Sequence, residues 1–131
     1  MTFTLDHTEV PALDRVATAK FWSDVLGLPV GVPQGRFERV RVNDTLTLDV
    51  ADHADPWKRN HYAFHVSDEE FDAVLNRVQS AAIPFGSGPH AYEDGKINTR
   101  DGGRGFYFLD PNGHLLELIT VAETKPEGPR A

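Results

Sequence analysis

The sequence predicts an α+β fold built from two similar modules, and three observations indicate it. Short runs rich in β-branched and aromatic residues are typical of strands, and two amphipathic segments carry helix caps. The same order of elements occurs twice: strand, helix, short strand and a hairpin of two strands. With 131 residues the chain is long enough for one domain with a core. We expect a single domain over residues 1–122 and a flexible tail over 123–131.

Charge and composition exclude several classes of function. The net charge of −7 argues against nucleic acid or an anionic membrane as a partner, because both require a basic patch. The chain has no cysteine, so disulfides, a thiol nucleophile and thiolate metal sites are excluded. It has neither a run of about 18 apolar residues nor a basic-then-apolar start. We therefore expect a cytoplasmic protein whose partner is a small molecule.

The first module is predicted over residues 3–50. "FTLDHTEV" is typical of a strand and ends before Pro11. Asp14 is placed to cap the amphipathic helix "RVATAKFWSDVL", which Gly27 ends. "RFERVRV" alternates strictly and is followed by the turn residues "ND" and by "TLTLDV", which together predict a hairpin. The polar residues 51–60 are predicted to be a linker.

The second module is predicted over residues 61–121. "HYAFHV" is a strand candidate, and Ser67 with Glu70 forms a capping box at the start of a helix. The apolar residues of that helix recur at helical spacing: Phe71, Val74, Leu75 and Val78. "FYFLD", the turn "PNG" and "HLLELIT" predict the second hairpin.

His61 and His65 lie four residues apart, a spacing that places two imidazoles on one face of a helix. Ser67 as an N-cap excludes this, because both histidines then precede the helix and lie on a strand. Residues four apart on a strand are separated by roughly 13 Å. Two ligands of one metal ion lie within about 4 Å of each other. His61 and His65 therefore cannot bind the same ion.

Overlaying the two modules predicts a different set of metal ligands. His7 aligns with His61, and Asp49 aligns with Glu117. A carboxylate on an apolar strand is costly to bury unless a positive charge compensates it. Two βαβββ modules side by side would bring the four residues to one point, where a divalent ion satisfies the electrostatics. Imidazole and carboxylate ligands suit Fe, Mn, Ni, Zn or Co.

The motifs "LDHTEV", "FWSDVLGLPV", "NHYAFHV" and "GGRGFYFLDPNGHLLELIT" resemble those of the vicinal oxygen chelate superfamily. This superfamily includes glyoxalase I, bleomycin-resistance proteins, fosfomycin-resistance enzymes and extradiol dioxygenases. The resemblance implies a cupped mixed β-sheet and a homodimer whose sites are shared between chains. It also implies that His7, His61 and Glu117 bind a divalent metal ion, with Asp49 as a fourth ligand in some members.

Other residues near the predicted site carry hypotheses about catalysis and binding. Glu9 lies two residues after His7, faces the same side of its strand, and is a candidate general base. Tyr107 is a candidate acid–base residue. Residues that could contact an anionic or carbonyl-bearing ligand are Lys96, Arg100, Arg104 and His65. The remaining histidines, His53, His90 and His114, are expected to be solvated.

The expected function is a metal-dependent enzyme of the glyoxalase and dioxygenase type, acting on a small oxygenated substrate chelated to the metal. Either a lyase or isomerase reaction or an oxygenation fits the ligand set. The alternative is a bleomycin-resistance-like protein that sequesters an aromatic natural product without chemistry. Fosfomycin modification is disfavoured, because Glu9 would repel a phosphonate by about 4 kcal/mol at 4 Å and intermediate dielectric.

Overall fold

A computed structural model of the chain describes residues 3–124. The elements follow in the order β1 (His7–Ala12), α1 (Arg15–Leu26), β2 (Phe37–Arg41), β3 (Thr47–Asp52), β4 (His61–His65), α2 (Asp68–Ser80), β5 (Phe85–Gly86), β6 (Gly105–Leu109) and β7 (Leu115–Ile119). They form two compact units. Of the described residues, the first unit contains 3–60 and Leu109–Leu115, and the second contains His61–Phe108 and 116–124.

The first unit holds a three-stranded sheet of order β1-β3-β2. β1 runs parallel to β3, and β2 runs antiparallel to it. Alternation along the strands gives the sheet two different faces. One face is apolar and buried and consists of Val10, Val40, Leu48 and Val50. The other face carries charged and polar side chains: His7, Glu9, Arg39, Arg41, Thr47 and Asp49.

Helix α1 packs in the first unit and has the predicted ends. The Asp14 side chain accepts a hydrogen bond from the N–H of Ala17, and Gly27 ends the helix in a left-handed conformation. Trp22 is fully buried, and its Nε1 donates to Asp110 over 3.1 Å. Asp110 belongs to the turn between β6 and β7, so this turn completes the first unit around α1.

The second unit holds the four-stranded sheet of order β4-β7-β6-β5 and helix α2. The predicted capping box is confirmed, because Ser67 and Glu70 each accept a hydrogen bond from the other's backbone N–H. The core contains Phe106, whose ring lies edge-on to Phe71 with centroids 5.2 Å apart. Between residues 3 and 124, no helix is long and apolar enough to cross a membrane.

The α+β class with two similar modules is confirmed, and several element bounds differ from the expectation. β1 begins at His7 rather than at Phe3. β1 continues through Pro11 to Ala12, because β1 is an edge strand on which a residue without an N–H is tolerated. β3 continues to Asp52 and shortens the predicted linker. The short strand of the first module is a single bridge between Val30 and Val40. The predicted tail lies largely outside the described residues.

Candidate functional site

The second unit brings together two of the predicted metal ligands. The Nε2 of His61 lies 3.0 Å from Oε1 of Glu117. The two residues lie at the start of β4 and in the middle of β7, which are neighbours in the sheet. The Glu117 side chain is 5% exposed and that of His61 is 48% exposed. The buried carboxylate is therefore covered on one side by an imidazole that reaches solvent.

Tyr107 on β6 lies against the same pair. Its ring stacks on that of His61 with centroids 6.2 Å apart, and its hydroxyl donates to Glu117. Arg100 donates from Nη1 to the same hydroxyl oxygen over 2.9 Å. Burial raises the pKa of Tyr107 above its ordinary value, and the hydrogen bond to the Glu117 carboxylate acts in the same direction. The Tyr107 hydroxyl is thus a proton donor that hydrogen bonds hold in place beside His61 and Glu117.

Three other predicted binding residues of the second unit lie in different surroundings. Arg104 pairs with Asp68 at 2.9 Å and Asp72 at 2.8 Å, and its guanidinium covers the ring of Phe71. Its charge is therefore compensated by helix α2. His65 is exposed, with Nε2 3.2 Å from the carbonyl oxygen of Thr120. Lys96 lies exposed in the loop before β6.

In the first unit, His7 occupies the position on β1 that His61 occupies on β4. Its Nδ1 lies 2.7 Å from a carboxylate oxygen of Asp6. The hydrogen bond to His7 is the largest cause that holds the pKa of Asp6 below its ordinary value. A carboxylate only accepts, so Nδ1 carries the proton of this bond, and in a neutral imidazole the lone pair is then on Nε2. Carboxylates orient metal-binding histidines in this way.

Asp49 and Glu9 are cross-strand partners on the polar face of the first sheet. The buried Asp49 pairs with Nε of Arg39 at 3.0 Å. Glu9 pairs with Nε2 of His53 at 2.5 Å. In the first module an arginine therefore occupies the role that His61 has beside Glu117. His53 is exposed, as expected, and makes this contact with Glu9 from the end of β3.

The donor atoms of His61 and Glu117 fit two adjacent ligands of one metal ion. Ligand atoms about 2.1 Å from an ion and at right angles around it lie about 3 Å apart, which matches the observed separation. Within residues 3–124, no group of three or more histidine or acidic side chains lies close enough to hold an ion. His7 and Asp49 belong to the first unit, so the second unit supplies a two-ligand part of the predicted site.

His114 was expected to be solvated, and this expectation is wrong. The residue is 0% exposed. Its Nδ1 accepts from the N–H of Asn60 at 3.0 Å, and its Nε2 lies 2.8 Å from the carbonyl oxygen of Pro11. The imidazole satisfies two backbone groups within the first unit. A position directly after a turn indicated exposure, and the sequence offers no signal for these distant partners.

Three residues around the site were missed or only partly recognised. Arg100 was named among possible anion contacts, but its bond to Tyr107 was not anticipated. Arg39 and Asp49 are directly paired across the hairpin of β2 and β3. A two-residue turn at Asn43 and Asp44 would pair Arg39 with Leu48, so the predicted hairpin register misses this pair by one position. His53 follows β3 and carries no signal of its contact with Glu9.

Comparisons with known proteins agree with this architecture. The sequence model of the Glyoxalase/Bleomycin resistance protein/Dioxygenase superfamily matches residues 4–118. The chain is 28% identical over 124 residues to the glutathione transferase FosA of Serratia marcescens, covering 90% of this chain and 81% of that protein. The solved structure of the oxidase ChaP-H2 is 42% identical with a TM-score of 0.89, covering 93% of this chain and 96% of its own.

A second solved structure, the oxidase ChaP-H1, is 41% identical with a TM-score of 0.88 and covers 92% of this chain and 98% of its own. The superfamily match spans both modules, including the strands that carry His61 and Glu117. The chain therefore belongs to the Glyoxalase/Bleomycin resistance protein/Dioxygenase superfamily, as its motifs predicted.

Proposed function

We propose that this chain is a metal-dependent oxidase that acts on a small oxygenated organic substrate chelated to a divalent metal ion. The observation that carries the proposal is the buried carboxylate of Glu117, 3.0 Å from Nε2 of His61. A buried acidic group requires compensation. A histidine is a weak source of positive charge at neutral pH, whereas a divalent ion is a strong one.

Similarity supports oxidation among the reactions of the superfamily. Two proteins named as oxidases share 42% and 41% of their residues with this chain over almost its whole length. The named glutathione transferase shares 28%. In addition, the Glu9 carboxylate would repel a phosphonate bound directly beside it, whereas Arg41 lies in a different cross-strand row of the same face. The two observations favour an oxidase over fosfomycin modification.

His7 is the proposed third ligand, and a homodimer with sites shared between two chains is the proposed assembly. The bond from Nδ1 to Asp6 supports this role for His7, because it leaves the Nε2 lone pair available. Asp49 is retained as a weaker ligand candidate, since Arg39 already compensates its charge. Fe, Mn, Ni, Zn or Co suits this donor set.

A bound divalent ion would act as a Lewis acid that polarises the chelated oxygens of the substrate. The protein's own residues then orient the substrate and move its protons. Tyr107 holds a proton at its hydroxyl, next to the carboxylate and the imidazole, and Arg100 fixes that hydroxyl. Glu9 is a candidate base from the first unit, and its bond to His53 would orient the carboxylate.

Metal analysis tests the ligand assignment. The protein is stripped with a chelator and titrated anaerobically with Fe(II), Mn(II), Ni(II) and Zn(II). We expect about one ion per chain, with at least a hundredfold loss of affinity in His61→Ala because one of three ligands is removed. His65→Ala is the matched control on the same strand and should bind as the original protein does. Loss of metal in His65→Ala with retention in His61→Ala would overturn the assignment.

Dioxygen uptake separates the functional alternatives. The Fe(II)-loaded protein is supplied with catechols, hydroquinones and α-hydroxyketones in an oxygen electrode, and uptake above that of free Fe(II) is expected. Metal binding without uptake would favour the lyase or isomerase chemistry of the superfamily. A protein that binds no metal but takes up aromatic compounds would instead be a sequestering protein.

A further inference from the structure

We propose that Arg41 forms an anion-recognition pocket for an acidic group of the substrate, on the sheet face that carries His7. The inference deepens the proposed function, because it adds a substrate class to the proposed site. The substrate would have chelating oxygens at one end and a carboxylate or similar anionic group at the other. The pocket itself lies wholly within the first unit.

The strand register places Arg41 on the same face as His7. In the parallel pair His7 is opposite Thr47, and in the antiparallel pair Arg41 is opposite Thr47. Paired residues project from the same face of a sheet, so His7, Thr47 and Arg41 form one row across three strands. Neighbouring strands lie about 4.8 Å apart, so the row spans roughly 10 Å between the outer Cα atoms. That span is the length of a small aromatic acid.

A cavity of about 180 Å³ lies at the end of this row. Its lining consists of Gly31, Val32, Arg39, Arg41 and Thr47. By this measure of volume one water needs about 10–15 Å³, so the cavity has room for a carboxylate and the carbons next to it. Val32 is 86% exposed and provides apolar contact at the rim. The lining thus combines cationic groups with an apolar edge.

Arg41 and Arg39 differ in how their charges are compensated. Arg39 is paired with the buried carboxylate of Asp49. Arg41 donates from Nη2 to the backbone oxygen of Asp44 over 2.7 Å and from Nη1 to the hydroxyl of Thr47 over 3.4 Å. Both of these hydrogen-bond partners are neutral. Within residues 3–124 no carboxylate forms an ion pair with Arg41, and the exposed Asp6 carboxylate attracts it at longer range.

The arginine fork has five N–H donors, of which these contacts use two. A carboxylate accepts two parallel hydrogen bonds from such a fork. The bond to Asp44 also holds the turn before β3, and Arg41 lines the cavity as well. If Arg41 had only a structural role, its removal would loosen the turn. The discrimination between charged and neutral ligands would not change. The test therefore compares an anionic ligand with a neutral ligand of the same shape.

The first measurement uses the metal-free full chain and 3-phenylpropionate, which has no chelating oxygens. In a ¹H–¹⁵N spectrum, we expect saturable shifts of the Gly31 and Thr47 amides and of Arg41 Nε–H. The isosteric 3-phenylpropanamide should shift them at least fivefold less at equal concentration. Equal shifts by the two probes, or no shift by either, would overturn the pocket.

The second measurement uses the Zn(II)-loaded chain and calorimetry with 3-(3,4-dihydroxyphenyl)propionate and its amide. We expect at least fivefold tighter binding of the carboxylate, reduced to less than twofold in Arg41→Gln and kept in Arg36→Gln. The Arg36→Gln control removes the same charge from an exposed residue outside this pocket. Preference retained in Arg41→Gln would overturn the assignment.

The two arms distinguish the failure of this inference from the failure of the proposed function. Without a metal site, both catechol probes would bind weakly with Zn(II), while the metal-free shifts would persist. Without the anion pocket, both catechol probes would bind the Zn(II)-loaded protein equally tightly. The comparison of probes on the unmodified chain stands even if Arg41→Gln folds poorly.

Discussion

The hydroxyl of Tyr107 shows how one atom can organise a candidate site. It donates to Glu117 and accepts from Arg100, so the carboxylate is held by a neutral donor whose oxygen is itself fixed by a cation. The arrangement keeps the tyrosine protonated. Burial and the neighbouring carboxylate disfavour the tyrosinate more than Arg100 favours it.

The first residue-scale prediction concerns the ionisation of this tyrosine. In an absorbance titration at alkaline pH, Tyr107 should contribute a component that ionises later than a free tyrosine. Tyr107→Phe should remove that late component, while Tyr92→Phe should keep it. Because the pKa is raised in the folded state, the stabilisation is present below about pH 10 and is lost as pH rises through the folded value. A late component that survives Tyr107→Phe would contradict the assignment.

Two residues of the candidate site, His61 and Glu117, were predictable from the sequence. The order of elements repeats, so His61 and Glu117 could be paired across 56 positions, and the structure places their side chains 3.0 Å apart. Arg39 beside Asp49 was not predicted, because a charged residue on an alternating strand is usually a solvated one. Ion pairs that depend on tertiary packing leave no periodic pattern in the sequence. The joint role of His7 with His61 stays a prediction.

At the scale of elements, helix α2 begins at a reciprocal pair of contacts. Ser67 accepts from the N–H of Glu70 at 3.1 Å, and Glu70 accepts from the N–H of Ser67 at 3.1 Å. These bonds satisfy backbone donors that the first helical turn would otherwise leave without partners. The hydrogen bond from the Ser67 backbone is the largest cause that lowers the pKa of Glu70.

We expect Ser67→Ala to lower the free energy of unfolding by about 1 kcal/mol, because it removes the N-cap acceptor. Ser80→Ala, at the other end of the same helix, should change it by less than about 0.5 kcal/mol. Urea unfolding of both variants checks this. The contribution of Glu70 is present above its unfolded pKa and is lost as pH falls through the lower folded value. An equal cost for the two substitutions would contradict a specific role of the cap.

The presence of each helix and strand was predicted better than its first and last residues. Caps have a chemical signature, so the starts of α1 and α2 were found at Asp14 and Ser67. Strand ends depend on which neighbouring strand remains available for pairing, and this is decided by the tertiary structure. Pro11 illustrates the difference: proline usually ends a strand, but here only the paired side of β1 must supply hydrogen bonds.

For the whole molecule, metal binding and folding should be linked if the proposed ligand set is correct. Zn(II) at a hundred times its dissociation constant would stabilise the folded chain by about 2.7 kcal/mol. We therefore expect the unfolding temperature to rise by several degrees with Zn(II) and to fall again with a chelator. Glu117→Gln should abolish the shift, and Glu93→Gln, an exposed acidic residue, should keep it. A shift that persists in Glu117→Gln would place the ion elsewhere.

The first unit is discontinuous in sequence, so it cannot fold completely until residues 109–115 have been synthesised. Asp110, Asn112 and His114 contact Trp22, Thr18 and Pro11, which lie 88, 94 and 103 positions earlier. Translation proceeds at about 5–20 residues per second. During translation, the core of the N-terminal half therefore lacks these contacts for several seconds. A nascent chain interrupted before residue 109 lacks these contacts, so the half that is made first is completed only when the last hairpin has been synthesised.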